Sequence, residues 1–392
     1  MMKKSKMFYR VAAIVVALAL LAGCGGNTGG AANVDEVTIG LLGPFTGPVA
    51  YFGTSVRNGA LLYIEEFNAR GGLQIIVEQF DEEGDAMLAV TGYHALYDRG
   101  VSAILGSVTS GPTMAVVPEA YADGMPMITA SATHANVTVS EAGHVWSNMF
   151  RSCFIDPFQG VKMAEFAYEV LGASTAAILY SNEIDYSIGL MESFRDRAIE
   201  LGIEIVAVQQ FGQEAIDFSG QLAIIADANP DVMFFPAYVQ HVAMMGPQSV
   251  AAGLDTYMLG ADGWNGSIAT MADPSSIEGA FFLTGFTEDT DDPMVQDFIA
   301  NFYAETGFGP NMFAAQAYDA AMILIAAIES AIAEGHSPAN QAEFRAAIIR
   351  HMAATDIVGV TGHITYDNYN NPQKTAFIVT VAGGEESFWG TF

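Results

Sequence analysis

Apolar positions along the chain alternate between two rhythms. Short β-branched and aromatic runs at 37–42, 74–80, 101–105 and 127–128 read as strands. Between them, 51–69 (Val56, Ala60, Leu61, Ile64, Phe67), 86–99 and 112–122 carry apolar residues at helical spacing. Glycines close all three helices: Gly71 and Gly72, Gly100, and Gly124. The unit then recurs, with strands at 176–180, 203–209, 231–235 and 257–259 and helices at 188–200, 220–228 and 239–252. Strand–helix alternation of this kind predicts an α/β fold whose parallel sheets are covered by helices on both faces.

Two such sets predict two doubly wound, Rossmann-like lobes, the first ending near Phe154 and the second near Leu283. Helices at 293–305, 313–333 and 342–352 and a strand at 375–381 are too few for a third sheet. They are expected to complete the first lobe and cross back. The first lobe then comprises 36–154 with about 285–360, and the second 155–284 with about 361–392. Several crossings make a hinge with a cleft beside it, and ligands of open α/β sheets sit outside the carboxyl ends of the strands.

Composition narrows the reading. The 392 residues are 51% apolar, which excludes a disordered chain, and net charge is −30. Such an acidic balance argues against a nucleic-acid partner, because phosphate binding needs basic residues. Lys3, Lys4, Lys6 and Arg10 precede an apolar run at 11–23 and then Cys24, the pattern of a secretory signal peptide. Thirteen residues are too few to span a bilayer, which takes about 20. Leu21, Ala22, Gly23 and Cys24 resemble a bacterial lipobox, which implies cleavage after 1–23 and lipidation of Cys24. Residues 24–35 are then a Gly-rich tether with a reach of roughly 18 Å. Removing 1–23 leaves ten basic residues against 44 acidic ones, a net of −34. With Cys24 acylated, Cys153 has no intramolecular partner and reads as a small buried hydrophobe.

The loops after the strands hold the candidate chemistry. Ser110 stands before a helix opening with Pro112, so its hydroxyl and the free backbone N–H groups can converge on an anion; plain N-capping fits the same residues. Ser131 and Thr133 offer further hydroxyls. In the second half, Asp262 between Gly260 and Gly263, with Tyr186, suits an ammonium; a solvated turn acid is the bland alternative. Phe52, Tyr238 and Phe313 suit apolar walls or ordinary core. The chain lacks the metalloprotease, nucleophile-elbow and phosphate-loop motifs. His134 is placed to approach Ser110, but no orienting acid or oxyanion hole is evident. No cofactor, metal site or catalytic residue is predicted.

Three stretches, 39–53 (IGLLGPFTGPVAYFG), 68–73 (NARGGL) and 127–133 (MITASAT), together resemble the branched-chain amino-acid binding proteins of bacterial ABC importers. The resemblance runs from about residue 36 to the end. It implies a type I periplasmic binding fold and an extracytoplasmic, lipid-anchored, monomeric protein that hands an amino acid to an importer's permease. It also implies a ligand carboxylate at Ser110 and Thr133 with backbone help near Ser131, an ammonium at Asp262 and Tyr186, and a side chain against Phe52, Tyr238 and Phe313. Asp262 stands where some members carry the longer Glu. Other members bind amides, urea or aromatic acids, and a ligand sensor would use the same site.

Overall fold

The computed structural model describes residues 34–392. Cys24 and the signal segment lie outside them. Strands β1 (Glu36–Gly43), β2 (Gln74–Asp81), β3 (Ile104–Leu105), β4 (Met127–Thr129) and β5 (Met149–Arg151) form a parallel sheet in the order β2-β1-β3-β4-β5. Alternate residues of β1 are buried to opposite sides. Ile39 and Leu41 join the core shared with α1 (Ala50–Ala69), and Leu42 joins the one formed by α2 (Ala86–Asp98) and α3 (Ser110–Ala122). Two-sided burial explains why the strand reads as an unbroken apolar run.

The chain then leaves this sheet and enters α4 (Asp156–Glu169), which packs along α5 (Asp185–Leu201). Gly160 permits that approach, since a β-carbon there would stand 2.1 Å from Ser193 Oγ and 2.7 Å from the Phe194 nitrogen. A second sheet gathers β6 (Thr175–Ser181), β7 (Glu204–Phe211), β8 (Val232–Phe234), β9 (Tyr257–Leu259) and β10 (Phe281–Thr284), all parallel, in the order β10-β9-β8-β6-β7. Helices α6 (Ser219–Ala228) and α7 (Val239–Ala251) alternate with its strands, and a short α8 (Ser267–Thr270) follows β9.

From β10 the chain returns to the first lobe through α9 (Pro293–Thr306), α10 (Met312–Ala333) and α11 (Gln341–Ala353). Among the described residues α10 alone is long and apolar enough to span a membrane, but it is buried against α1 and α11 as a core helix. A hairpin of β11 (Asp356–Gly359) and β12 (Gly362–Thr365) hangs from it, with Asp319 accepting the Val360 and Thr361 N–H groups at 2.8 and 2.9 Å. Asn370 still donates to the Met149 carbonyl in the first lobe (3.0 Å), so the last crossing comes after it, later than the position near 360 that the pattern suggested. Strands β13 (Phe377–Ala382) and β14 (Glu385–Thr391) then add antiparallel to the second sheet beside β10.

The fold is thus the expected two-lobed α/β arrangement, with three departures. The second sheet is mixed, because a chain returning from the other lobe meets its edge in the opposite direction. Pairing of 101–105 narrows to β3, although Ser102 and Ala103 still bond β1 at Thr38 and Gly40. Helix α4 and strands β5, β10, β11, β12 and β14 escaped the pattern. Cys153 is fully buried, its thiol pushed up to about 12 by that burial, and behaves as a small hydrophobe.

Candidate functional site

The carboxyl ends of both sheets face one another. On the first lobe, α3 begins at Ser110, and Thr109 before it makes no side-chain cap. Ser110 Oγ instead accepts the His134 backbone N–H at 3.3 Å, which leaves its own proton free to donate. Thr133 caps nothing either. The 3-10 turn Ala135–Val137 is capped by His134, whose Nδ1 accepts the Asn136 N–H (3.1 Å), while Thr133 Oγ1 is buried with no hydrogen bond. The capping alternative therefore fails for both residues. Ser131 is different: its hydroxyl donates to the Val108 carbonyl at 2.8 Å and shapes the loop.

On the second lobe, Asp262 opens a 3-10 turn directly after β9 and is 2% exposed. Two donors meet at its Oδ1, the Tyr186 hydroxyl (2.8 Å) and Gln159 Nε2 (3.0 Å). Gln159 Oε1 in turn accepts the Asp262 N–H (2.9 Å), and the Tyr186 oxygen accepts the Gly263 N–H (2.8 Å). Helices α4 and α5 thus clamp the turn from two sides. Burial pushes the Asp262 carboxyl up to about 6, against the lowering effect of Tyr186 and Gln159. One turn before Gln159, Asp156 is fully buried. Desolvation raises its carboxyl well above the usual range, opposed by the neighbouring Thr133 hydroxyl and raised further by the Asp262 charge. Thr133 Oγ1 and Asp156 Oδ2 lie close without forming a hydrogen bond of good geometry.

Aromatic rings join the lobes. Phe313 meets Phe52 edge-on at 4.8 Å, Phe52 meets Tyr238 at 5.3 Å, and Tyr238 stacks on Tyr186 at 4.8 Å. With Val108, Thr109, Ser131, Asp262 and Gly263 they line a narrow chamber that leaves about 10 Å³ free. That is room for about one water, so the aromatic walls nearly meet across the cleft in this arrangement. Phe52, Ser131, Tyr186, Tyr238, Asp262 and Phe313 of the predicted residues form its wall; Ser110 and Thr133 do not. Ser110 lies just behind, with the Tyr238 hydroxyl against its backbone N–H. No lysine or arginine lines the chamber.

Residues 36–385 match the family described as periplasmic binding protein. The chain belongs to that family. A leucine-, isoleucine-, valine-, threonine- and alanine-binding protein of Pseudomonas aeruginosa is 28% identical over 302 residues, covering 76% of this chain and 79% of that one. The leucine-binding protein of Thermotoga maritima has a TM-score of 0.81 at 29% identity, over 91% of this chain and 98% of its own. A branched-chain amino-acid transporter substrate-binding protein of Streptococcus pneumoniae, solved with isoleucine, has a TM-score of 0.82 at 29% identity, over 91% and 99%. The two-lobed α/β architecture is that of type I periplasmic binding proteins.

Sequence reasoning passed over Asp156 and Gln159 because it passed over α4. The Asp156-Pro157 pair, an acid and a proline in a first turn, was the available signal for that helix.

The raised carboxyl of Asp262 has a consequence for stability. The folded chain holds that proton more tightly than the unfolded one, so the stabilisation is complete below about pH 4 and is lost as pH rises through about 6. Asp262→Asn should therefore raise the unfolding free energy of the ligand-free protein at pH 8, by up to about 3 kcal/mol, and leave it unchanged at pH 4. Urea unfolding at the two pH values checks this; equal stabilities at pH 8 would contradict it.

Proposed function

We propose that the protein captures a free α-amino acid with an aliphatic side chain between its lobes and delivers it to the permease of an ABC importer. The observation that carries this is Asp262, a buried carboxylate in a chamber with no basic side chain on its wall. An ionised acid out of water needs a cation, and the ligand's ammonium would supply it. Across the chamber, the start of α3 puts Thr109 on the wall and Ser110 just behind it, where Tyr238 holds the Ser110 N–H, and a helix N-terminus at that place favours a carboxylate. Between these ends the surfaces are Phe52, Val108, Tyr238 and Phe313, which favour an uncharged side chain. The branched-chain amino acids named for the relatives agree with that chemistry. An amide, urea or aromatic acid would leave Asp262 without a counter-charge.

The same geometry supports a binding role rather than catalysis. His134 uses its Nδ1 on Asn136 and meets Ser110 only through its backbone, so the two do not form a nucleophile–base pair. Binding closes the two lobes on the hinge, and the closed form is what the permease would recognise. The same closed form would serve a receptor in a sensing role.

Truncating one side of a buried charge pair costs roughly 2–5 kcal/mol, so Asp262→Ala should weaken binding at least tens-fold. Calorimetry against leucine, isoleucine, valine and alanine, beside leucinamide, urea and benzoate, measures it. A wild type that prefers an amine-free ligand, with Asp262→Ala binding it equally well, would overturn the reading.

We propose further that the lipobox-like residues 21–24 lead to a mature monomer tied to the outer face of a membrane by acyl chains at Cys24. Mass spectrometry of membrane-extracted protein should show an acylated N-terminal Cys24, and Cys24→Ala should abolish the modification. An unmodified soluble product starting elsewhere would contradict it.

A further inference from the structure

Tyr51 and Phe52 are neighbours in the first turn of α1, with rings edge-on at 5.8 Å, yet they face different surroundings. Phe52 belongs to the chamber wall, whereas Tyr51 stands outside it, in a separate pocket of the cleft shared with Gly266, Asn311 and Glu386. Within the first lobe the phenol is fixed from behind. Asn311 caps α10 by accepting the Ala314 N–H on Oδ1 (3.0 Å), and its amide donates to Tyr51 Oη at 2.9 Å and to Ser55 Oγ at 2.7 Å. In front of the phenol lies the second lobe. Gly266, at φ +85°, is so close that a β-carbon there would stand 1.8 Å from Tyr51 Oη and 2.1 Å from Cζ. The ring of one lobe thus fills the space that a side chain on the other would need. Gly266 is held from its own lobe by β14, where Glu386 Oε1 accepts its N–H at 2.9 Å.

The turn that Tyr51 meets is the one that carries Asp262. Asn265 donates its amide to the Asp262 carbonyl (2.7 Å) and the Leu283 carbonyl (2.8 Å), which braces residues 262–266 against β10 as one piece. We propose that Tyr51 is a positioning residue for ligand capture: when the lobes meet, its ring seats on Gly266, clamps the Asp262 turn and slows the release of a bound amino acid. Tyr51 touches no ligand itself and acts through Gly266 and through its neighbour Phe52. In the open form the two partners are on separated lobes, so the contact adds nothing to entry and must break before exit. Glycine at 266 serves this contact twice, by tolerating the left-handed backbone and by leaving room for the ring. The identity of what is retained rests on the amino-acid reading; the contact between the lobes does not.

The test is stopped-flow tryptophan fluorescence of the mature chain with leucine, since Trp264 lies in the turn itself. Tyr51→Ala should raise the dissociation rate roughly tenfold and leave association within about twofold. Tyr51→Phe, which keeps the ring, should stay within about threefold of the wild-type release rate. Gly266→Ala should weaken leucine binding about tenfold on its own and cost nothing further when added to Tyr51→Ala. Strain of alanine in the left-handed region would persist with or without Tyr51, so additive losses in the double variant would overturn the proposal. A Tyr51→Ala effect on association alone, or on neither rate, would overturn it too. Should Gly266→Ala fail to fold, the Tyr51 rates decide. Should leucine fail to bind the wild type, the amino-acid reading falls and crosslinking decides the contact. In a Cys24→Ala chain, where Cys153 is buried, a Tyr51→Cys and Gly266→Cys pair should then be joined within one chain by a short bismaleimide. No such crosslink would mean that the lobes do not meet there, and the clasp would fall.

Discussion

A carboxylate held out of water with no protein cation beside it is the feature on which the rest of this site depends. Asp262 is buried, and what surrounds it is polar but neutral: the Tyr186 hydroxyl and the Gln159 amide, both on Oδ1. Such donors orient an acid and lower its pKa somewhat, yet they do not replace the hydration of a full charge, so the carboxyl rests at about 6. A second buried acid, Asp156, sits one helical turn away and sharpens the imbalance. The arrangement is stable because α4 and α5 are packed tightly enough to hold the two donors in place. In the proposed function a cationic ligand completes it.

The architecture supplies the other half of the geometry. Each lobe aims the carboxyl ends of its sheet at the cleft, so one contributes the start of α3 and the other contributes the acid. The chain passes between lobes after β5, after β10 and before β13, which ties them at one edge and leaves the opposite edges free to move. Contacts made only when the lobes meet, such as Phe52 with Tyr238 and Ser110 with the Tyr238 hydroxyl, lie directly on the chamber wall. A ligand that touches both walls therefore binds the closed form preferentially, and that difference drives closure.

Much of this was legible in the chain. Strands buried on both faces announce themselves as apolar runs, and the glycine stops marked the helix ends, so the two lobes followed from alternation alone. Reading the loops after strands singled out Phe52, Tyr186, Tyr238 and Asp262, which the fold brings together, while Phe313 stands at a helix start. What escaped was hidden for physical reasons. Helix α4 carries a proline and a packing glycine in fourteen residues, which blurs its apolar stripe, and Asp156 and Gln159 were lost with it. The roles of the hydroxyl residues were equally invisible. Ser131 bonds Val108 and Ser110 accepts from His134, choices set by loop backbone that no spacing reveals. Strand β14 is mostly exposed at a sheet edge, so it lacks the apolar alternation by which strands are recognised.

Proton release on binding is the most direct measure of the central claim. An ammonium placed on Asp262 stabilises its ionised form, so a group titrating near 6 in the ligand-free protein must shed its proton as the ligand docks. Calorimetric titration of leucine at pH 6, repeated in buffers of different ionisation heat, should show net release of about half a proton per ligand. The release should vanish at pH 8 and in Asp262→Asn. Binding at pH 6 with no proton exchange, or with proton uptake, would contradict the account.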